Sequence, residues 1–144
     1  MLALDHSRNA TGVALGSFEL GEPRALRTLR AASDAARLEE LAGLMDEWQP
    51  VLLVLGLPLD AEGLEQPQSR RVRRFAILLE QRFRVPWVFH DERWSTVAAE
   101  DRLRAAGRTS RQIARESDGE AAREILQGFF DQHKARNAAC RTRP

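Results

Sequence analysis

The sequence predicts an α/β fold in which one mixed five-stranded sheet is flanked by helices. Three observations carry this reading. Three short apolar or alternating segments open the chain, and apolar runs of strand length then alternate with longer stretches of helical period. Gly or Pro punctuates many of the junctions between them.

The elements follow in order. Met1 to His6 reads as a buried strand and Thr11 to Ser17 as a second, joined by the tight polar loop Ser7-Arg8-Asn9-Ala10. Gly12 and Gly16 in the second strand allow a bend or close backbone approach. Arg24 to Ala31 alternates polar and apolar residues, as a third strand with one wet face does. Ser33 caps a helix whose apolar positions are Leu38, Leu41, Leu44, Met45 and Trp48, and Pro50 ends it. Val51 to Leu55 is a continuous apolar run, the pattern of a strand covered on both faces, and Gly56-Leu57-Pro58 stops it. A helix over Gln68 to Phe83 then turns Val72, Phe75, Ala76, Leu78, Leu79 and Phe83 inward, and Trp87-Val88-Phe89 form the fifth strand. Ser95 or Thr96 caps a further helix that ends at Gly107. Ser117 and Glu120 fit a capping box for the last helix, which places Asp118 in its first turn and buries Ile125, Leu126, Phe129 and Phe130. Three strands, helix, strand, helix, strand and two helices make the element order of the ribonuclease H fold, with the first strand central.

The 144 residues form one domain over residues 1–134, with 135–144 expected as a flexible basic tail. The single Cys140 forms no internal disulfide and argues against zinc or thiol chemistry. No apolar run approaches the roughly 18–20 residues that cross a bilayer, and the start lacks a secretory pattern. The expectation is a cytoplasmic protein with no membrane partner. Net charge is only +1, but 21 of the 22 basic residues are arginine, Lys134 being the exception. Arg70, Arg71, Arg73 and Arg74 cluster on one predicted helix. A GC-rich coding bias explains part of the arginine usage, yet guanidinium forks also suit phosphate oxygens. Near-neutral total charge favours a local phosphate track, with Arg70, Arg71 and Arg74 its best members, over a bulk nucleic-acid coat.

Carboxylates stand where strands end or a helix begins: Asp5, the pair Asp91-Glu92, and Asp118. Such positions face the rim where ligands of an α/β sheet gather. Several carboxylates on one rim repel each other unless a divalent cation neutralises them. The outline is that of a metal-dependent phosphodiester hydrolase. His6 and His90 border the same region and read as packed or hydrogen-bonded residues. Trp94 reads as rim packing, and Ser95 and Thr96 as caps.

Four blocks, spanning almost the whole chain in order, resemble the YqgF/RuvX family of bacterial ribonuclease-H-like nucleases related to the RuvC resolvase. They are Leu4-Asp5 with Thr11-Gly12-Val13-Ala14; Gly56-Leu57-Pro58-Leu59 with Glu65-Gln66-Pro67; Asp91-Glu92-Arg93-Trp94-Ser95-Thr96; and Asp118 with Ala121-Ala122 and Ile125-Leu126. The first loop departs from the family pattern: Ser7 stands where Gly is expected, and the basic residue moves by one to Arg8.

The resemblance implies two Mg2+ or Mn2+ ions held by Asp5, Glu92 and Asp118, with Asp91 the second choice within its pair. Spacing alone does not decide between Asp91 and Glu92. Arg93 pairs with a carboxylate or contacts phosphate. The implied substrate is nucleic acid, with trimming of the 5′ end of pre-16S rRNA by a monomer or weak dimer. The rival readings are cleavage of branched four-way DNA junctions, by kinship with RuvC, and a catalytically weak nucleic-acid-binding module.

Overall fold

A computed structural model describes residues 1–20, 22–91 and 110–141, with residues 110–118 and 135–141 described by their backbone alone. The strands are β1 (Leu2–His6), β2 (Thr11–Leu15), β3 (Arg24–Leu29), β4 (Leu53–Leu57) and β5 (Trp87–Asp91). The helices are α1 (Asp34–Trp48), α2 (Pro67–Arg82) and α3 (Ser110–Arg141). The sheet order is β3-β2-β1-β4-β5, with β1 central as expected. β1, β2 and β3 form an antiparallel meander, whereas β4 and β5 run parallel to β1. Sequential hairpins on one side and helical crossovers on the other give the mixed sheet.

Each face of the sheet is covered by different helices. Leu2, Leu4, Val13, Leu53 and Leu55 pack with Leu41, Leu44, Phe75 and Leu79 of α1 and α2. Ala3, Ala14 and Val54 pack with Ala122, Ile125, Leu126 and Phe130 of α3. Small side chains on the second face let α3 lie close. A Cβ at Gly16 would stand 3.1 Å from Leu126 Cδ2 and from the Pro23 backbone. α1 starts where the Ser33 hydroxyl accepts from the Ala36 N–H at 3.1 Å, and it ends at Gln49, whose φ of 43° is left-handed. α2 starts at Pro67 behind a reciprocal Gln66–Ser69 cap. No helix among the described residues is long and apolar enough to cross a membrane.

Two expected elements shift. β4 covers Leu53–Leu57 and not 51–55, so Gly56 and Leu57 belong to the strand. Val51 is 74% exposed, while Leu53 gains partners on both sides, Leu2 and Trp87. The parallel register outweighs the apolar run in setting where the strand begins. The last helix starts at Ser110, so Asp118 lies eight residues inside it and stabilises no helix start. Arg111, Gln112, Ala114, Arg115 and Glu116 all favour helix, so the helix extends through the apparent capping box at Ser117. It also continues to Arg141, through residues expected in the tail. The expected helix from Ser95 or Thr96 to Gly107 lies outside the described residues.

Candidate active site

Parallel pairing brings the carboxyl ends of β1, β4 and β5 to one rim, the edge at which α/β sheets present their ligands. Side chains alternate along each strand, so Asp5 lies on the α3 face with Ala3, whereas His6 lies on the α1–α2 face with Leu4. Asp5 is 9% exposed. The register sets a row of residues across the sheet on its face. Thr28 of β3 pairs with Gly12 of β2, and Gly12 pairs with Asp5. On the other side Gly56 stands one step beyond the Leu4–Leu55 pairing, and Gly56 pairs with His90 of β5. Asp5 therefore has a glycine on each neighbouring strand. The residues paired with Asp5 on β2 and β4 therefore add no side chain beside it, and hard oxygen is the donor that Mg2+ and Mn2+ take. A buried carboxylate between two glycines is the kind of donor that fits such a cation.

α3 closes over this row. A Cβ at Gly119 would stand 3.3 Å from Ala25 Cβ and 3.9 Å from Thr28 Oγ1. Asp118 is the residue before it and lies one turn ahead of Ala122, which is buried against the sheet. Its backbone thus lies near Thr28, two strand spacings or about 10 Å from Asp5 along the row. At the other end of the row, His90 sits against Gly128 of α3, where a Cβ would stand 2.8 Å from His90 Nε2 and force one of them to shift. Burial lowers the His90 pKa, with the Asp91 charge and a Gln132 hydrogen bond opposing. Asp91 has the strand parity of Trp87 and Phe89, which pack toward α1 and α2. The structure thus separates Asp91 from Asp5 by the thickness of the sheet. Glu92 and Arg93 lie outside the described residues, as do Trp94, Ser95 and Thr96. Among the described residues no three His, Cys, Asp or Glu side chains group around a cation position.

The opposite side of the rim is basic. Arg8 from the β1–β2 turn meets Arg71 and Arg74 from α2 around a cavity of about 490 Å³, with Asp34, Ile77 and Leu78 also lining it. Arg70 is exposed and is not part of this cavity. Arg73 is held by Glu65 and lies over the Phe89 ring.

Sequence reasoning missed the residue that fixes this turn. Arg37 of α1 is 1% exposed, yet it donates to the Ala31, Ser7 and Arg8 carbonyls and, at 3.4 Å, to the Thr11 hydroxyl. Its signal was positional: residues 37, 41, 44 and 48 fall on one helical stripe, so a lone arginine continues an apolar face. His6 completes the network. It stacks on Phe75 at 3.9 Å, meets the Thr11 hydroxyl at 2.8 Å through Nδ1, and reaches Asp34 at 3.3 Å through Nε2. Burial lowers its pKa to about 4 against the raising effect of Asp34. A neutral ring donating from Nε2 and accepting at Nδ1 satisfies both partners.

A family model described as RuvX, Holliday junction resolvase, matches residues 1–132. This chain belongs to the RuvX family. Curated relatives agree over most of its length. A protein of Nitrosospira multiformis named "Putative pre-16S rRNA nuclease" is 43% identical over 93% of this chain and 89% of its own. A protein of the same name from Thiobacillus denitrificans is 42% identical over 91% of this chain and 90% of its own. Among solved structures, Thermus thermophilus RuvC in complex with a Holliday junction substrate superposes with a TM-score of 0.51. That match covers 93% of this chain and 96% of the RuvC chain at 13% identity, and it shows a shared ribonuclease-H-like fold. Asp5, Gly12 and Gly56 of the segments that resemble the family lie in the Asp5 row, and the α3 backbone at Asp118 lies near Thr28 at its end.

Proposed function

We propose that this RuvX chain is a divalent-metal-dependent nuclease that processes the 5′ end of pre-16S rRNA. The observation that carries the reading is the row Thr28, Gly12, Asp5, Gly56 and His90, which sets the buried Asp5 between two glycines on the sheet face that α3 covers. Asp5, Glu92 and Asp118 would hold the metal. Glu92 is preferred to its neighbour because Asp91 has the parity of the opposite face. Two bound Mg2+ or Mn2+ ions would lower the pKa of an attacking water and stabilise the leaving oxygen. The protein's own part is to hold Asp5 on the rigid central strand, keep neighbouring side chains out of the way, and grip phosphates through Arg8, Arg71 and Arg74. Arg93 is assigned to phosphate or a site carboxylate, and Arg70 to the outer end of the track. We place the protein in the cytoplasm, as a monomer or weak dimer.

The substrate assignment follows the names of the relatives. A second reading, cleavage of branched four-way DNA, is favoured by the description of the matching family model. Metal and phosphate contacts read neither base nor sugar, so the choice is experimental. Purified protein and Asp5→Asn are incubated with Mn2+ and either a pre-16S rRNA 5′ fragment or a synthetic four-way junction. The expected result is cleavage of the RNA, reduced more than about a hundredfold by the substitution, a loss at least as large as that from removing an outer-shell metal partner. Junction cleavage alone moves the function to DNA. Binding of both without cleavage leaves a nucleic-acid-binding module.

A further inference from the structure

We propose that the cavity behind the β1–β2 turn receives one unpaired nucleotide of the substrate strand, next to the phosphodiester presented at Asp5. The inference rests on the nuclease reading and deepens it. Free cation, apolar surface and a hydrogen-bond acceptor meet in one concavity. Arg73 and Arg82 are neutralised by Glu65 and Glu39, whereas Arg8, Arg71 and Arg74 form no ion pair among the described residues. Three guanidinium groups on one lining, against the single carboxylate of Asp34, leave it net positive. Positions 71, 74 and 78 form one stripe of α2, so the charged lining passes directly into an apolar one. Ile77 on that lining is 52% exposed, an apolar side chain left open where most of its class is covered.

Phosphate alone explains the arginines but not the open Ile77 beside half-buried Leu78. An unpaired nucleotide explains both, since its base packs on apolar or guanidinium surfaces while its phosphate takes the charges. Asp34 supplies an acceptor for a sugar hydroxyl or a base amino group, and His6 holds one of its oxygens at 3.3 Å. The volume of about 490 Å³ falls within the range of small-molecule sites, about 300–1,000 Å³. The lining is also set in advance, because buried Arg37 grips the Ser7 and Arg8 carbonyls and Gln68 donates to the His6 carbonyl at 2.6 Å. Arg8 lies three residues beyond Asp5, so a strand crossing the rim meets the carboxylate on one face and the cavity on the other. A base paired in a duplex does not enter.

The test follows the full-length, isotopically labelled protein by NMR in two titrations, one with adenosine 5′-monophosphate and one with inorganic phosphate. Signals are read at the Ile77 and Leu78 methyl groups and at the Arg8, Arg71 and Arg74 Nε–H groups. The nucleotide is expected to move both sets, and phosphate the guanidinium set alone. R71A/R74A should lose the nucleotide response while Arg82→Ala keeps it. For a single-stranded RNA, the logarithmic salt slope of binding should fall by about 0.7 for each pocket arginine removed. Identical patterns from nucleotide and phosphate define a bare anion site and overturn the proposal, as does a response unchanged in R71A/R74A. Asp5→Asn should retain the nucleotide response. A protein that binds the nucleotide but cuts no substrate fails the nuclease reading, whereas one that cuts without the response fails this inference alone.

Discussion

Arg37 and His6 show how a buried polar side chain can serve the rim without belonging to the reaction. Arg37 donates to three part-buried backbone carbonyls and to the Thr11 hydroxyl, which His6 also meets. Arg37→Met keeps most of the volume and removes every one of these donors. It should lower unfolding stability by about 3 kcal/mol, read as a smaller urea midpoint at unchanged slope. His6 gives a pH signature. Its folded pKa of about 4 lies below the ordinary 6.5, mainly through burial. As pH falls below about 6.5, the unfolded chain takes up a proton that the folded chain refuses, and stability drops until the folded ring also titrates near 4. His90 shifts the same way and adds to the slope. Urea unfolding of the wild type at pH 7.5 and 5 should therefore show a loss that is smaller in His6→Gln. An equal loss in both would mean that His6 carries none of it. At this scale the sequence disclosed Asp5, Arg8, Arg71 and Arg74 as chemistry-bearing types at informative positions. It did not disclose Arg37, because a guanidinium on an apolar stripe looks like a snorkelling surface residue until its carbonyl partners, 6 to 30 residues away in the chain, are known.

At the scale of elements, most strands and helices were legible within two residues, since their apolar periods are strong. The errors fell where tertiary contacts overrule local signals. β4 shifted to match β1 and β5, and α3 ran through an apparent start. The row flanking Asp5 was also illegible, because strand register joins residues that no local pattern connects. Gly128 offers a test of how closely α3 must approach. A helix-interior glycine costs about 1 kcal/mol relative to alanine, and the His90 ring against it accounts for the choice. Gly128→Ala should displace His90 or α3 and destabilise the protein by about 1–3 kcal/mol. In a His90→Ala background the same change should become neutral or stabilising, as helix propensity alone then acts. A double-mutant cycle in urea reads the coupling. Additive effects would show that the ring does not dictate the glycine.

For the whole molecule, the proposed site joins segments at residues 5, 92 and 118, so it exists only when the meander, the parallel half of the sheet and α3 are assembled together. If the proposed carboxylates share the rim, folding gathers like charges there, which opposes the folded state, and a divalent cation reverses the sign of that contribution. Metal should then act as a folding ligand as well as a catalyst. A cation present at a hundred times its dissociation constant stabilises the folded state by about 2.7 kcal/mol. That is a rise in Tm of several degrees, at roughly 2–8 °C per kcal/mol over this size range. Thermal unfolding in EDTA and in Mn2+ is the measurement. The wild type should gain several degrees with Mn2+. Asp5→Asn should match or exceed the wild type in EDTA, because a repelling charge is gone, and should gain little from the metal. The reverse pattern, equal gains in both proteins, would place the cation away from Asp5 and remove the chemistry proposed for the rim. Magnesium should act in the same direction as manganese, since the donors are hard oxygens in either case. Zinc stabilising Asp5→Asn as strongly as wild type would instead mark histidine binding elsewhere, separating the rim carboxylates from any adventitious site.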